Sequence, residues 1–176
     1  MQIQTDRVFL RQWSAEDRRP FQDMSSDPDV MRYFPKPLSA NEADDLVLRL
    51  SDEIEQLGFG VCAVECRETK EFIGCVGLHK LVDQYDFAPC VEIAWRLAKP
   101  AWGQGYATEA ASASLKHAFT ELAIDEVVAL TARVNLPSQK VMKRLGMDFS
   151  HSFEHPAIEK ESELCDHVLY TIRSYN

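Results

Sequence analysis

The stretch VEIAWRLAKPAWGQGYATEA, residues 91–110, decides the fold. Its first half alternates as a strand does, with Val91 and Ile93 on one face and Glu92 on the other. Its second half passes through Gly103 and Gly105 into a run of small, helix-forming residues. A strand that ends in a glycine-rich turn and opens into a helix aims several backbone N–H groups at one point, where the helix dipole adds partial positive charge. Glycine lets an anion approach the backbone closely because it has no Cβ and tolerates positive φ. Taken alone, WGQGYA is as consistent with an ordinary strand-to-helix connection as with an anion cradle. Two phosphate motifs are excluded. There is no G-x-x-x-x-G-K-[ST], and the pair Gly103 and Gly105 lacks the third glycine and the first-strand position of a dinucleotide fingerprint.

Reading outward, TDRVFLRQW (5–13) alternates Val8 and Leu10 against Phe9 and Arg11 as a first strand. Ser14 and Asp17 have the spacing of a capping box for a short helix, which Pro20 is expected to kink or end early. SANE (39–42) is a stronger capping box, and Leu46, Leu50, Ile54 and Leu57 recur at helical spacing until Gly58. GVCAVEC (60–66) and EFIGCVGLHKLV (71–82) flank the polar RETK as a hairpin. PCVEIAWRLA (89–98) is the strand before the glycine turn. In the helix after it, Ala107, Ala110, Ala111, Ser114 and Ala118 give a flat face suited to lying close on a sheet. EVVALTARV (126–134) is a further strand, NLPSQKVMKRLGM (135–147) a short helix ending at Gly146, and DHVLYTIRS (166–174) a last strand. The order β-α-α-β-β-β-α-β-α-β-β, without repeat or linker, is that of one mixed α/β (α+β) domain over residues 1–176.

A chain of 176 residues with 45% hydrophobic content can bury a core without staples. No apolar run approaches the ~18 residues of a membrane span, and the start lacks a signal-peptide core, so a cytoplasmic protein without membrane partners is expected. The net charge of -9 argues against nucleic-acid partners, which need clustered Lys and Arg. Five cysteines form no CxxC pair. Cys62 and Cys66 fall on one strand face as small buried groups. His151 and His155 have the spacing of a zinc pair but no accompanying Cys pattern, and no metal site is expected.

Residues 91–110 followed by ARVNLPSQKVMKRLGM (132–147) resemble the two acetyl-CoA motifs of the GNAT N-acetyltransferases, in particular their RimJ/RimL-like branch. TDRVFLRQW, DPDVMRYF (27–34) and EFIGCVGL (71–78) resemble the same branch in the same order, so the likeness covers nearly the whole chain. It implies a mixed, mostly antiparallel sheet of about six to seven strands flanked by about four helices, with a splayed central parallel pair. It also implies acetyl-CoA as co-substrate and an amine acceptor, either a protein N-terminus or a small molecule, in a monomer or homodimer. One departure stands in the pyrophosphate loop. The family pattern begins with Gln or Arg, whereas here Trp102 takes that place, with Gly105 and Ala107 in the later ones.

By this resemblance, backbone groups of Trp102, Gly103, Gln104, Gly105, Tyr106 and Ala107 take the pyrophosphate. Trp95, Arg96 and Leu97 offer free strand groups to the pantetheine arm, in the manner of strand addition. Asn135 holds the pantetheine near its thiol end, and Ser138 lies near the sulfur. Acetyl transfer to an amine needs a neutral nucleophile, a stabilised oxyanion and a proton for the thiolate. A strand N–H near Ile93 to Trp95 is a candidate for the oxyanion, and Ser138 for the thiolate. Ser138 could equally support the first turn of its helix. Glu92 is the candidate base, with a solvated or ion-paired carboxylate as the alternative. The family's acidic position on the next strand is Thr131 here and supplies no base. His79, Trp13, Tyr33 and Phe34 are candidates for the acceptor side, although core packing is the expected role of Phe34. His117 is expected on the helix surface. The alternative to an enzyme is a non-catalytic acyl-CoA-binding module.

Overall fold

In the computed structural model, residues 1–174 are described. Strands β1 (Ile3–Gln4) and β2 (Val8–Arg11) lead into helices α1 (Arg18–Ser26) and α2 (Ala40–Leu57). A meander of β3 (Val61–Cys66), β4 (Phe72–Leu81) and β5 (Cys90–Leu97) follows. Then come α3 (Tyr106–Thr120), β6 (Glu126–Ala132), α4 (Leu136–Arg144), β7 (Asp148–Glu154) and β8 (Asp166–Arg173). One eight-stranded sheet runs β1-β2-β3-β4-β5-β6-β8-β7, antiparallel except for the central β5–β6 pair. This is the expected mixed α/β domain with one strand more than expected. The addition is β1, two residues that pair Ile3 with Leu10 and Gln4 with Phe9 at the sheet edge.

Local chemistry explains the helix limits. The Ser39 hydroxyl accepts the Glu42 N–H at 3.3 Å while the Glu42 carboxylate accepts the Ser39 N–H at 2.8 Å, and Gly58 at φ 77° ends α2. The buried stripe of α2 is Ala43, Val47 and Ile54, slightly rotated from the expected one. Leu57 is 40% exposed. Leu46 and Leu50 remain partly buried because they pack against the core and also wall a cleft. Pro20 does not shorten α1, which continues to Ser26. It stands in the first turn, where its missing N–H costs no helix bond.

Two features position the site. Ala110, Ala111, Ser114, Leu115 and Ala118 are buried on α3 and let it lie close against β4 and β5. The parallel strands β5 and β6 pair only at Glu92 opposite Val128 and part beyond it. Cys62 and Cys66 are buried on β3, as expected. Among the described residues no helix is long and apolar enough to cross a membrane.

Candidate active site

A cleft of ≈ 830 Å³ passes through the gap between β5 and β6, a volume in the range of small-molecule sites. It is lined at one end by Trp102, Gly103, Gly105 and Tyr106, and at the other by Glu92 and His79. Gly103 and Gly105 adopt left-handed φ of 74° and 83°. A Cβ at Gly103 would meet nothing within 4 Å, so the turn faces open space and is not glycine-rich for packing. The N–H groups of Gly103 through Thr108 donate to no backbone acceptor among the described residues. That arrangement suits a diphosphate.

The turn is held from outside by residues that sequence reading missed. Arg7 donates to the Glu109 carboxylate at 2.6 Å and to the Gln104 carbonyl at 2.9 Å, and its guanidinium stacks over the Tyr106 ring at 4.9 Å. The Thr5 hydroxyl donates to the same carboxylate at 2.6 Å. With the Gln104 carbonyl held by Arg7, the Gly105 N–H of the same trans peptide points the opposite way. Gln104 also donates through its side chain to the Pro100 carbonyl at 2.9 Å. Trp102, which replaces the family's polar residue, donates its indole N–H to the Leu97 carbonyl at 2.8 Å and so closes the turn on the strand.

Strand register then sorts the donors of β5. Ala98 donates to Ile73, which places the backbone groups of Arg96, Ala94 and Glu92 toward β4 and those of Leu97, Trp95 and Ile93 toward the gap. The parallel bridge at Glu92–Val128 engages the flanking groups of Val91 and Ile93. Trp95 is therefore the first residue beyond the bridge with its backbone turned into the gap. Two expectations are corrected: Arg96 presents its backbone to β4 rather than to the gap, and the Leu97 carbonyl is already used by Trp102.

On the α4 face, the Trp95 indole donates to the Ser138 hydroxyl oxygen at 3.2 Å, which leaves the Ser138 O–H free to donate into the cleft. The helix cap is Asn135 and not Ser138. The Asn135 carbonyl oxygen accepts the Ser138 N–H at 3.2 Å, and its amide donates to the Thr131 hydroxyl at 2.8 Å. Each end of the Asn135 amide keeps one unused hydrogen-bonding position.

On the opposite face, Glu92 stands directly across from His79 on β4. His79 Nδ1 lies 2.8 Å from the Glu53 carboxylate on α2, and that contact raises the imidazole's pKa against the effect of its burial. Burial pushes the Glu92 carboxyl up to about 7, with the nearby His79 restraining the shift. Glu53 was missed, although a carboxylate beside Ile54 on the apolar stripe of α2 is a signal that could have shown it. Tyr33 and Phe34 line this end of the cleft. The expectation of a core role for Phe34 is overturned, since it is 37% exposed and stacked under the Arg96 guanidinium at 4.4 Å. Trp13 is instead a core residue, edge-on to Phe21 and donating to the Val61 carbonyl. His117 lies part-buried on α3, outside the cleft lining. His155 pairs with the Tyr85 hydroxyl at 2.9 Å, and His151 lies on the exposed strand β7.

The Acetyltransferase (GNAT) domain family matches residues 7–148. Among curated proteins, the chain is 28% identical over 174 residues to an uncharacterized N-acetyltransferase, YnaD, of Bacillus subtilis, covering 98% of this chain and 96% of that one. Among solved structures it superposes on a GNAT-family acetyltransferase from Bacillus anthracis with a TM-score of 0.82 at 26% identity, covering 98% of each chain. It shares its fold with Mycobacterium smegmatis RimJ in complex with CoA-disulfide, with a TM-score of 0.76 at 19% identity over 95% of this chain and 82% of that one. Together with the parted central strands and the open glycine turn, these likenesses show that the chain belongs to the GNAT acetyltransferase family.

Proposed function

We propose that the protein transfers an acetyl group from acetyl-CoA to the α-amine of its acceptor, directly, with both substrates held in one cleft. The observation that carries this reading is the continuity of the gap between β5 and β6. It joins an open set of backbone N–H groups at the start of α3 to a carboxyl group poised near neutrality on β5. Bound acetyl-CoA supplies an activated thioester. The residues present fit it: the Gly103–Ala107 backbone for the diphosphate, the parted edge of β5 for the pantetheine amides, and Asn135 through its spare positions.

The chain's own groups then divide the chemistry. Glu92, with a pKa pushed up to about 7, accepts a proton from the acceptor's ammonium, directly or through water, and so frees the neutral amine that attacks. The Trp95 N–H faces the place where negative charge develops on a carbonyl oxygen. The Ser138 hydroxyl, held by the Trp95 indole, donates a hydrogen bond to the departing sulfur, which leaves as the thiol with the proton that the attacking nitrogen gives up as the amide forms. A base near pH 7 is well matched to an N-terminal α-amine of pKa near 8 and poorly matched to a lysine near 10.4, which favours the α-amine.

Thiol release from acetyl-CoA, measured with a panel of peptides and small amines, tests the reading. It predicts a rate that depends on the acceptor and is fastest for α-amines. Tight CoA binding without turnover across that panel would instead identify a non-catalytic acyl-CoA-binding module.

A further inference from the structure

Arg96 is the unresolved group of the acceptor side. Its side chain alternates with Trp95 and so leaves the α4 face for the face carrying Glu92 and Ala94. There the guanidinium lies 4.4 Å over the Phe34 ring and 5.9 Å from that of Phe21. Its Nε and Nη1 are sealed from solvent and have no hydrogen-bond partner among the described residues. No carboxylate forms an ion pair with it among the described residues, and the Asp29 and Glu53 carboxylates that flank the cleft pair with Lys99 and His79 instead. Burial disfavours the charged form, yet arginine stays protonated in proteins. Two aromatic faces offset only part of the cost of an uncompensated buried cation. The residue also lines the cleft.

From this we infer that Arg96 is a specificity residue which binds a carboxylate carried by the acceptor amine. The inference rests on the proposed transfer reaction and names its substrate class. The diphosphate cradle is built from the loop backbone at the start of α3, whereas the Arg96 side chain shares its face with Glu92, the group assigned to deprotonate the acceptor. An anion reaching Arg96 on that face therefore belongs to the acceptor. Ala94 lies between Glu92 and Arg96 and leaves the floor low enough for one molecule to span both. The two side chains are four strand positions apart, roughly 13 Å along the backbone, with Ala94 halfway. One guanidinium with single charge and planar donors matches one carboxylate. That carboxylate can come from an acidic side chain near a peptide N-terminus or from a free amino acid.

The test offers matched acceptors to the wild type and to Arg96→Met. Peptides beginning with Asp or Glu are paired with their Asn or Gln counterparts, and free amino acids with their carboxamides. The wild type should favour the carboxylate member of at least one set by about tenfold or more in kcat/KM, and the set that responds identifies the source. In Arg96→Met the preference should fall to about one, with CoA affinity unchanged and thermal stability equal or higher, because no internal ion pair is lost. Arg96→Lys should keep part of the preference. Equal rates for both members in the wild type, a preference that survives Arg96→Met, or a stronger preference for phosphorylated amines would each overturn the inference. If no acceptor is turned over, the transfer reading fails on its own. The same pairs titrated against CoA-saturated wild type and Arg96→Met then decide Arg96: carboxylate-selective binding lost in the variant supports it, and unselective binding overturns it.

Discussion

The two ends of the cleft are built by opposite means. The end at the glycine turn is backbone: N–H groups of consecutive residues, aimed by two left-handed glycines and braced by Arg7, Glu109 and Thr5. The end at Glu92 is side chain: Glu53, His79, Glu92, Arg96 and Phe34 come from one helix, two strands and the loop after α1. In the proposed reaction the backbone cradle takes the diphosphate common to every CoA ester, a role that needs no particular side chain. A side-chain pocket is specific to one acceptor and can be rebuilt by single substitutions. In the proposed reaction the donor is thus held by backbone and the acceptor by side chains.

Substitutions at the two ends should separate accordingly. Glu92→Gln is expected to have the largest effect, a loss of about 10²- to 10⁴-fold in the single-turnover rate at neutral pH, with CoA affinity unchanged. Gly105→Glu should do the reverse. Forcing a side chain to φ 83° and placing a negative charge beside the diphosphate should weaken CoA binding by about a hundredfold, as read by titration calorimetry. A normal CoA affinity in that variant would show that the turn is not the cradle. Arg7→Ala removes the brace without touching the N–H groups and should weaken CoA binding by about tenfold, and high salt should narrow this difference from the wild type by screening the exposed Arg7–Glu109 pair. Ser138→Ala should be mildest, lowering turnover several-fold while leaving CoA affinity in place. Unchanged turnover would remove Ser138 from the reaction.

Stability adds an independent comparison. The folded state raises the Glu92 pKa from 4.5 to about 7, so it binds this proton more tightly than the unfolded chain does. The associated stability is fully present below about pH 4.5 and is lost as pH rises through about 7. Hydrogen bonding to Glu53 raises the His79 pKa as well, and its contribution is likewise lost with rising pH. Glu92→Gln should therefore equal or exceed the wild type in denaturant stability at pH 8, by at most roughly 3 kcal/mol, and show a flatter dependence between pH 5 and 8.

The same division explains what was legible in the sequence. The strand, glycine turn and small-residue helix of residues 90–120 are contiguous, so their local pattern carries both the fold and the candidate anion site. Capping residues fixed α2 for the same reason. The brace of Arg7 on Glu109 joins residues 102 positions apart, and neither carries a local signal. Trp102 looks like a lost donor in the sequence, but its indole closes the turn on Leu97. Asn135 and Ser138 were found by resemblance, while their division of labour, one capping and one facing the cleft, depends on the Trp95 side chain. Arg96 was noticed for its backbone. Its importance lies in a side chain whose isolation becomes visible only when Phe21 and Phe34 are folded around it.

The central claim is that one carboxyl group on β5 takes the acceptor's proton. The pH dependence of kcat/KM for the best α-amine acceptor, compared between the wild type and Glu92→Gln, tests it most directly. The wild type should show an inflection near pH 7 in addition to that of the amine, and the variant should retain only the amine's own. Profiles of the same shape in both proteins would contradict the assignment.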